Sequence, residues 1–121
     1  HVDIISDDIT LNSYDVNFIR RVTQVVEDHL SDLEFDVRRL KEKSGLSQTQ
    51  LYRKLHALTG LSPSRFIRHM RLKRAMKLLE QQKGSVTHVA FEVGFGNLSY
   101  FTKCFKEQYG ISPSEYSRKC D

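Results

Sequence analysis

Apolar residues recur with a helical period over most of the chain. In the first such segment, which begins near Asp15, they follow i, i+3, i+4, i+7 spacing, and this predicts an amphipathic helix. A short second helix is predicted next, because Asp36 suits an N-cap and Phe35 is placed to pack onto Leu40. Gly45 then supplies a left-handed stop. The apolar positions of the first helix are Phe18, Ile19, Val22, Val25, Val26 and Leu30.

A third helix is predicted to begin at a capping box. In this arrangement the Ser47 hydroxyl accepts a hydrogen bond from the amide of Gln50, and the Gln50 side chain reaches back. Leucines recur on one face of the helix, which therefore faces a core. The helix is expected to end at the glycine of the pentapeptide GLSPS, residues 60–64. The leucines on its apolar face are Leu51, Leu55 and Leu58.

The pentapeptide GLSPS stops one helix and starts another. Gly60 ends the third helix, and Ser62 caps the helix that follows. Pro63 takes the first position of that helix, where its missing amide proton costs nothing. The sequence therefore predicts a connecting helix from Pro63 to about Gln82.

The chain is written as two copies of one unit. The pentapeptide recurs as GISPS at residues 110–114, and Glu115 completes a second capping box. Further matches lie 49 or 50 positions apart, with one extra residue in the second turn. The matched pairs are Leu40 with Val89, Gly45 with Gly94, Leu46 with Phe95, Leu51 with Phe101, Leu55 with Phe105 and Phe66 with Tyr116.

Each copy has a short helix, a glycine turn, an apolar residue directly after the glycine, and a second helix. This pattern describes a helix-turn-helix, and two in tandem are a stronger signal than one. The first copy has Lys41 where the second has Ala90, so the Lys41 stem must snorkel or the helix crossing must loosen.

The predicted fold is all-α, with about seven helices that form two helix-turn-helix subdomains joined by a long connecting helix. The expected parts are a linker from a preceding domain at residues 1–14, the first subdomain at 15–62, the connecting helix at 63–82 and the second subdomain at 83–121.

Charge is distributed unevenly along the 121 residues. Residues 1–36 carry a balance of −7, whereas residues 37–121 carry +11. Basic bodies of this size commonly meet nucleic acid, although a solvated basic surface has the same balance. Charge alone leaves both interpretations open.

The sequence contains no constellation typical of an enzyme or a metal site. Cys104 and Cys120 form no C-x-x-C pair, and the five histidines form no H-E-x-x-H motif. There is no G-x-S-x-G motif or glycine-rich phosphate loop. No apolar run approaches the ~18 residues of a spanning helix. We therefore expect no enzyme activity, no catalytic residues, no cofactor, no metal and no membrane contact by this domain.

Spaced motifs between about residues 15 and 119 resemble the DNA-binding domain of the AraC/XylS transcription activators. So many matches at the right spacing make chance similarity improbable. They are Leu46-Ser47-x3-Leu51-Tyr52-Arg53-Lys54-Leu55, Arg71-Leu72-x2-Ala75-x2-Leu78-Leu79, Val93-Gly94-Phe95-x3-Ser99-Tyr100-Phe101-x3-Phe105-Lys106, and Gly110-Ile111-Ser112-Pro113-x2-Tyr116.

The resemblance implies sequence-specific binding of double-stranded DNA by a transcriptional regulator, with two recognition helices in successive major grooves. It implies RNA polymerase as a partner, a cytoplasmic location, and a covalently linked sensory or receiver domain outside these residues. The acidic first helix and the ITLNSYD segment before it are similar to the output domains of hybrid two-component regulators in gut bacteria. A hybrid sensor of that kind would be membrane-anchored as a whole protein.

Helical geometry predicts which side chains of the first reading helix face outward. With its leucines in the core, a rotation of 100° per residue puts Thr49, Arg53 and His56 on the opposite face. Arginine suits the O6 and N7 atoms of guanine, and glutamine suits adenine. The DNA-binding candidates of this helix are Gln48, Thr49, Gln50, Tyr52, Arg53 and His56.

The same geometry applies to the second reading helix, where Phe101 and Phe105 face the core. Ser99, Lys103 and Lys106 then correspond to the outward positions of the first copy. Lys103 lacks the planar fork of an arginine, so its contact is expected to be monodentate or to phosphate. The DNA-binding candidates of this helix are Asn97, Leu98, Ser99, Tyr100, Lys103 and Lys106.

Several of these assignments have an alternative. Asn97 suits the N-cap of its helix, and the rings of Tyr52 and Tyr100 can lean onto the domain surface. His56 and Lys106 would meet phosphate rather than bases. Basic side chains on a connecting helix are usually solvated or paired, so that row is left out of the candidate site. Its members are Arg65, Arg68, Arg71, Lys73, Arg74 and Lys77.

The length of the connecting helix suggests how DNA is engaged. About twenty residues at ~1.5 Å each span about 30 Å, whereas successive major grooves lie ~34–36 Å apart. The prediction is that both readers engage one non-palindromic site and bend the DNA. A second class that stays open is a helical protein-interaction module. A third, an RNA-binding domain, has little to favour it, because the predicted fold lacks the exposed aromatic platform on a sheet that many such domains use.

Overall fold

The structure is a computed structural model that describes residues 4–5 and 10–121. The described residues form seven helices and no strand, which confirms the all-α prediction. Residues 1–3 and 6–9, half of the predicted linker at residues 1–14, lie outside the described residues. The helices are α1 (Ser13–Asp28), α2 (Val37–Ser44), α3 (Gln48–Thr59), α4 (Pro63–Glu80), α5 (Val86–Glu92), α6 (Leu98–Tyr109) and α7 (Pro113–Lys119).

The described residues pack as two compact units. The first contains α1, α2, α3 and the first turn of α4, up to residue 67. The second contains the rest of α4, the helices α5, α6 and α7, and the short segment 30–34 between α1 and α2. Each unit therefore holds one helix pair joined by a glycine-containing turn, α2 with α3 in the first and α5 with α6 in the second.

Helix α1 begins at Ser13, earlier than the start expected near Asp15. The reason is a capping box that the apolar pattern does not reveal. The Asn12 side chain accepts from the amide of Asp15 at 2.9 Å, and the Asp15 carboxylate accepts from the amide of Asn12 at 3.4 Å. These bonds satisfy amide groups that have no partner within the helix.

The caps predicted for α2 and α3 are confirmed. The Asp36 side chain accepts from the amide of Arg39, and Gly45 ends α2 with φ +72°. Ser47 and Gln50 form the reciprocal capping box of α3. Gly60 then ends α3 with φ +75°, a left-handed conformation that glycine adopts without a steric penalty.

The segment GLSPS behaves as its sequence predicts. The Ser62 hydroxyl accepts from the amide of Arg65 at 3.4 Å, and α4 begins at Pro63. Helix α4 ends at Glu80 rather than at about Gln82, because Gln82 takes a left-handed conformation with φ +55° that an α-helix cannot contain.

The segment GISPS repeats this arrangement at the start of α7. Gly110 ends α6 with φ +76°, and Pro113 opens α7. The Ser112 hydroxyl accepts from the amide of Glu115 at 3.2 Å. The Glu115 carboxylate accepts from that hydroxyl at 3.0 Å, so the return contact is made to a side chain.

The core of the first unit is aliphatic with three phenylalanines. Leu51, Leu55 and Leu58 are buried, as their spacing on α3 predicts. They share the interior with the apolar stripe of α1 and with residues at the start of α4. The other buried apolar side chains of this unit are Phe18, Ile19, Val22, Val26, Phe35, Leu40, Phe66 and Ile67.

The core of the second unit is richer in aromatic rings. Phe101 and Phe105 are fully buried on α6, as predicted, with ring centroids 5.8 Å apart. Phe95 meets Phe101 edge to face at 5.1 Å, and Tyr116 from α7 meets Phe105 at 6.0 Å. These tilted arrangements are the favourable ones for aromatic pairs, so they fix the angle at which α6 leaves its turn.

Candidate nucleic-acid interface

Helix α3 turns one polar face away from the first unit. The leucines of α3 are buried. In the same unit, the Arg21 guanidinium on α1 donates to the carbonyl of Ser44, at the end of α2, at 3.2 Å. The buried side chains fix the rotation of α3, so its remaining positions meet solvent. All six candidates of this helix are exposed: Gln48, Thr49, Gln50, Tyr52, Arg53 and His56.

Two of these exposed side chains are arranged by their neighbours. The Tyr52 and His56 rings lie nearly parallel, with centroids 6.1 Å apart. Tyr52 remains 53% exposed, so the ring does not lie flat on the protein. The Gln50 side-chain oxygen is already used, because it accepts from both the amide and the hydroxyl of Ser47 at 3.2 Å. Only the amino group of Gln50 is left for a ligand.

Lys54 lies on α3 between the outward residues but takes another direction. Its ammonium nitrogen stands 5.3 Å from the centroid of the Phe18 ring on α1. This cation–π contact holds the side chain against its own unit. The charge of Lys54 is thus separated in space from that of Arg53, its neighbour in sequence. The helical period alone does not predict this separation.

Helix α6 presents the matching face of the second unit. Phe101, Cys104 and Phe105 are buried, whereas Ser99, Lys103 and Lys106 are exposed. The outward positions predicted from the two copies therefore occur at equivalent places on α3 and α6. Among the described residues, no carboxylate pairs with Arg53, Lys103 or Lys106, so these cations are available to an anionic ligand.

Asn97 is the N-cap of α6, which confirms the alternative that its side chain suits this position. Its side-chain oxygen accepts from the amide of Tyr100 at 2.8 Å. This leaves the Asn97 amino group as the part that can still meet a ligand. Leu98, the first residue of α6, is 39% exposed despite being apolar.

Tyr100 has a partner that sequence reasoning missed. The Arg68 guanidinium on α4 donates to the Tyr100 hydroxyl at 3.2 Å, and this bond raises the pKa of Arg68 above its ordinary value, against the effect of partial burial. The Tyr100 ring also meets Phe95 at 6.0 Å and remains 48% exposed. Because 32 positions separate Arg68 from Tyr100, no local pattern signals the contact.

The other basic side chains of the connecting helix α4 lie in different environments. Arg71 is buried and belongs to the interior, whereas Arg65, Arg74 and Lys77 are exposed. The described part of the chain contains no group of three or more histidine, cysteine, aspartate or glutamate side chains that could hold a metal ion. None of its helices is both long and apolar enough to cross a membrane.

Comparison with known proteins assigns the chain to a family. A family model described as a helix-turn-helix domain matches residues 40–119. The chain belongs to the AraC/XylS family of DNA-binding domains. Its function is sequence-specific DNA binding in a transcriptional regulator.

Curated relatives of this AraC/XylS domain are much longer than the chain. It is 35% identical over 96% of its length to histidine kinase P4 of Formosa agariphila, of which it spans 8%. It is 34% identical over 85% of its length to the HTH-type transcriptional regulator MtrA of Neisseria gonorrhoeae, of which it spans 33%. The matched region is therefore one part of each of these proteins.

Solved AraC-type structures share the fold. The DNA-binding domain of AdpA, solved in complex with a target DNA, is 30% identical with a TM-score of 0.74, covering 84% of this chain and 90% of that one. The C-terminal domain of the two-component response regulator yesN from Fusobacterium nucleatum is 27% identical with a TM-score of 0.74, covering 84% and 98%.

Proposed function

We propose that this AraC/XylS domain reads DNA with the outward faces of α3 and α6, one in each unit. The observation that carries the proposal is the exposed cation at the same place on both helices, Arg53 on α3 and Lys103 on α6. Each is the sixth residue of its helix and lies in the second turn, near the N-terminal end with which a recognition helix approaches base edges.

In the first unit, Arg53 is the principal base reader. Its guanidinium has no carboxylate partner among the described residues and can form a bidentate pair with guanine. Gln48 and Thr49 precede it on the same exposed stretch and complete the reading edge. Tyr52 directly precedes Arg53 and His56 follows it by three residues, and this stacked pair is assigned to the sugar–phosphate wall of the groove.

In the second unit, Lys103 contributes mainly electrostatic attraction. A lysine ammonium is a compact point charge, so it favours phosphate or a single base acceptor over a bidentate contact. Ser99 and the free amino group of Asn97 are the polar groups that can read a base edge in this unit. Lys106 lies about one turn after Lys103 on α6 and is assigned to a phosphate of the DNA backbone.

Both helices are proposed to engage one non-palindromic site spanning successive major grooves, with bending of the DNA. The two units carry different reading residues, so the two half-sites should differ in sequence. A hydroxyl-radical footprint with two protected regions one helical turn apart is the expected result. Straight DNA in phasing gels and a footprint confined to one groove would contradict this part of the proposal.

The chain is proposed to be the output domain of a longer cytoplasm-facing regulator. A histidine kinase matches 96% of the chain, and the structural neighbours include domains of response regulators. These similarities support a covalently linked sensory or receiver domain as the source of the signal. RNA polymerase is the proposed downstream partner, and no enzymatic step is assigned to this domain.

The decisive experiment selects bound sequences from a random pool of duplex DNA and then measures affinity against salt concentration. Binding should weaken steeply with salt because phosphate contacts release counterions. Arg53→Ala should cost about 1–3 kcal/mol on the selected site and relax preference at one base position. Arg20→Ala, an exposed arginine on α1, is the charge-matched control and should have a smaller effect.

Lys103→Ala tests the second unit by a different readout. Loss of a phosphate contact should weaken binding to all sequences alike and reduce the magnitude of the salt slope by about 1. If Arg53→Ala and Lys103→Ala both leave binding to every DNA unchanged, the assignment of α3 and α6 as readers is wrong. The helical protein-interaction class would then be favoured.

A further inference from the structure

The contact between Arg68 and Tyr100 links the long helix α4 to the first turn of α6. In this contact the guanidinium donates and the phenol oxygen accepts, at 3.2 Å. A phenol has one proton of its own to donate. That proton has no acceptor among the described residues, so it can be directed to a ligand.

The position of the pair is suited to an anion. Tyr100 follows Ser99 and precedes Lys103 by one turn on α6, and it is half exposed. The rotation of 100° per residue places Tyr100 beside the outward face of α6, and the contact with Phe95 and the bond to Arg68 hold its ring there. A side chain anchored at the flank of a helix that enters a groove meets the wall of that groove, which is formed by phosphates.

Arg68 adds charge to this place without losing its own capacity to donate. A guanidinium carries five N–H groups, of which the bond to Tyr100 uses one. The carboxylate that influences Arg68 is Glu107, one turn beyond Lys103 on α6, and its effect is smaller than that of the tyrosine. Arg68 is only partly buried, so it still presents positive charge at the surface.

We infer that Arg68 and Tyr100 together form a phosphate clamp beside the α6 recognition surface. The Tyr100 hydroxyl donates to a backbone phosphate oxygen, and Arg68 is a positioning residue that fixes the direction of that hydroxyl and adds attraction for the same phosphate. This inference rests on the proposed function. It adds Arg68, on the connecting helix, to a surface that the sequence confined to α3 and α6.

The phosphate, rather than a base edge, is favoured by the chemistry of the pair. A phenol hydroxyl beside a guanidinium gives two adjacent donors, one of them charged, which match the two non-bridging oxygens of a phosphate. Contacts of this kind fix the register of a protein on the duplex but carry no sequence information. The clamp would therefore set how Ser99 and Lys103 are aligned over the bases.

The test is a set of variants measured on the selected DNA site. Tyr100→Phe removes only the hydroxyl and should weaken binding about tenfold, the effect of a hydrogen bond to a charged group. Arg68→Ala should weaken it to a similar extent, and the double variant should lose little more, because the two side chains act on one phosphate. Arg68→Lys, which keeps a charged donor, should recover part of the loss.

A DNA modification separates the clamp from a bond that merely braces α4 against α6. Each backbone phosphate of the α6 half-site is replaced singly by an uncharged methylphosphonate. The native chain should lose about tenfold in affinity at one of these positions. Tyr100→Phe should be insensitive to that replacement, whereas a bracing bond would leave both proteins equally sensitive everywhere.

Arg74→Ala is the matched control, since Arg74 is an exposed arginine on the same helix. It should not change the methylphosphonate profile. Equal profiles for the native chain and Tyr100→Phe, or fully additive losses in the double variant, overturn the clamp while Arg53→Ala still reports DNA reading. Failure of the native chain to prefer any DNA sequence would instead overturn the proposed function and the clamp with it.

Discussion

The guanidinium of Arg71 occupies the space that a side chain at Gly94 would need. A Cβ atom built on Gly94 would stand 1.4 Å from Nη1 of Arg71 and 2.4 Å from the carbonyl oxygen of Leu30. Gly94 also has φ +91°, which L-residues with a side chain rarely adopt. The turn between α5 and α6 is therefore shaped both by its own backbone and by a buried cation on α4.

Gly94→Ala should destabilise the domain by about 2–4 kcal/mol, because strain from the positive φ adds to the clash with Arg71. Urea unfolding followed by far-ultraviolet circular dichroism measures the change. Gly96→Ala is the matched control two residues away, where an added Cβ meets nothing within 4 Å. Equal stabilities for the two variants would contradict the close packing of Arg71 against this turn.

Arg71 should be a stabilising residue rather than a DNA contact. Its Nη1 atom donates to the carbonyls of Leu30 at 2.6 Å and Val93 at 2.9 Å, and Nη2 donates to that of Asp32 at 3.2 Å. Burial lowers the pKa of Arg71 from its ordinary value, although the nearby Asp32 opposes this effect.

Arg71→Met keeps most of the volume but leaves these carbonyls without their donor, so it should lower the free energy of unfolding by about 3 kcal/mol. Equilibrium unfolding in urea measures the loss. DNA affinity, measured well below the melting temperature of the variant, should change far less than in Arg53→Ala. A variant of native stability that loses DNA binding would reverse this assignment.

Substitutions at Asn97 can separate its role as an N-cap from its proposed role in reading a base. Asn97→Ser keeps an N-cap oxygen and should retain stability, whereas Asn97→Ala should cost about 1 kcal/mol because the amide of Tyr100 loses its acceptor. Thermal unfolding measures the contribution of the cap to the stability of the domain. If the Asn97 amino group also reads a base, Asn97→Ser should still change base preference at one position of the selected site. An unchanged preference would restrict Asn97 to capping.

Tyr116 should make stability depend on alkaline pH. Its hydroxyl donates to the Glu80 carboxylate, and this bond raises the pKa of Tyr116 above its ordinary value. The folded state thus holds the phenolic proton more tightly than the unfolded state does. The contribution to stability is complete below the unfolded pKa of about 10 and is lost as pH rises above it.

Tyr116→Phe should therefore cost up to about 1 kcal/mol at pH 7, and the difference from the native chain should shrink above about pH 10. Urea unfolding at a series of pH values measures the two curves. Tyr14→Phe, at a tyrosine that is 78% exposed, is the control and should leave the pH dependence unchanged. If the difference in unfolding free energy between the two proteins stayed constant across the alkaline range, the contribution of this bond would not depend on ionisation of Tyr116.

The helices and their ends followed from local signals. Buried Leu51 and Leu55 recur with the helical period, and Gly45 and Gly60 adopt the left-handed conformation that their positions predicted. These features depend on residues within one or two turns of each other, so adjacent sequence contains the information. The start of α1 differs from the prediction because the polar capping box of Asn12 and Asp15 leaves no mark in the apolar period.

The outward faces of α3 and α6 also followed from periodicity. Once one face of a helix is buried, the directions of the remaining side chains are set by the 100° rotation per residue. Arg53 and Lys103 are exposed at the expected positions for this reason. The roles toward DNA proposed for them rest on the family and on the chemistry of their side chains.

Contacts between residues distant in sequence were decided only by tertiary structure. Arg68, Arg71 and Lys73 belong to one basic row on α4, yet only packing determines that Arg71 is buried and that Arg68 meets Tyr100. Lys54 likewise adjoins Arg53 in sequence but lies against Phe18. The sequence alone determined the helices, their caps and their two-fold repetition, because each depends on short-range geometry. The partners of individual cations required the fold, because long side chains select among neighbours that only the packing of helices brings within reach.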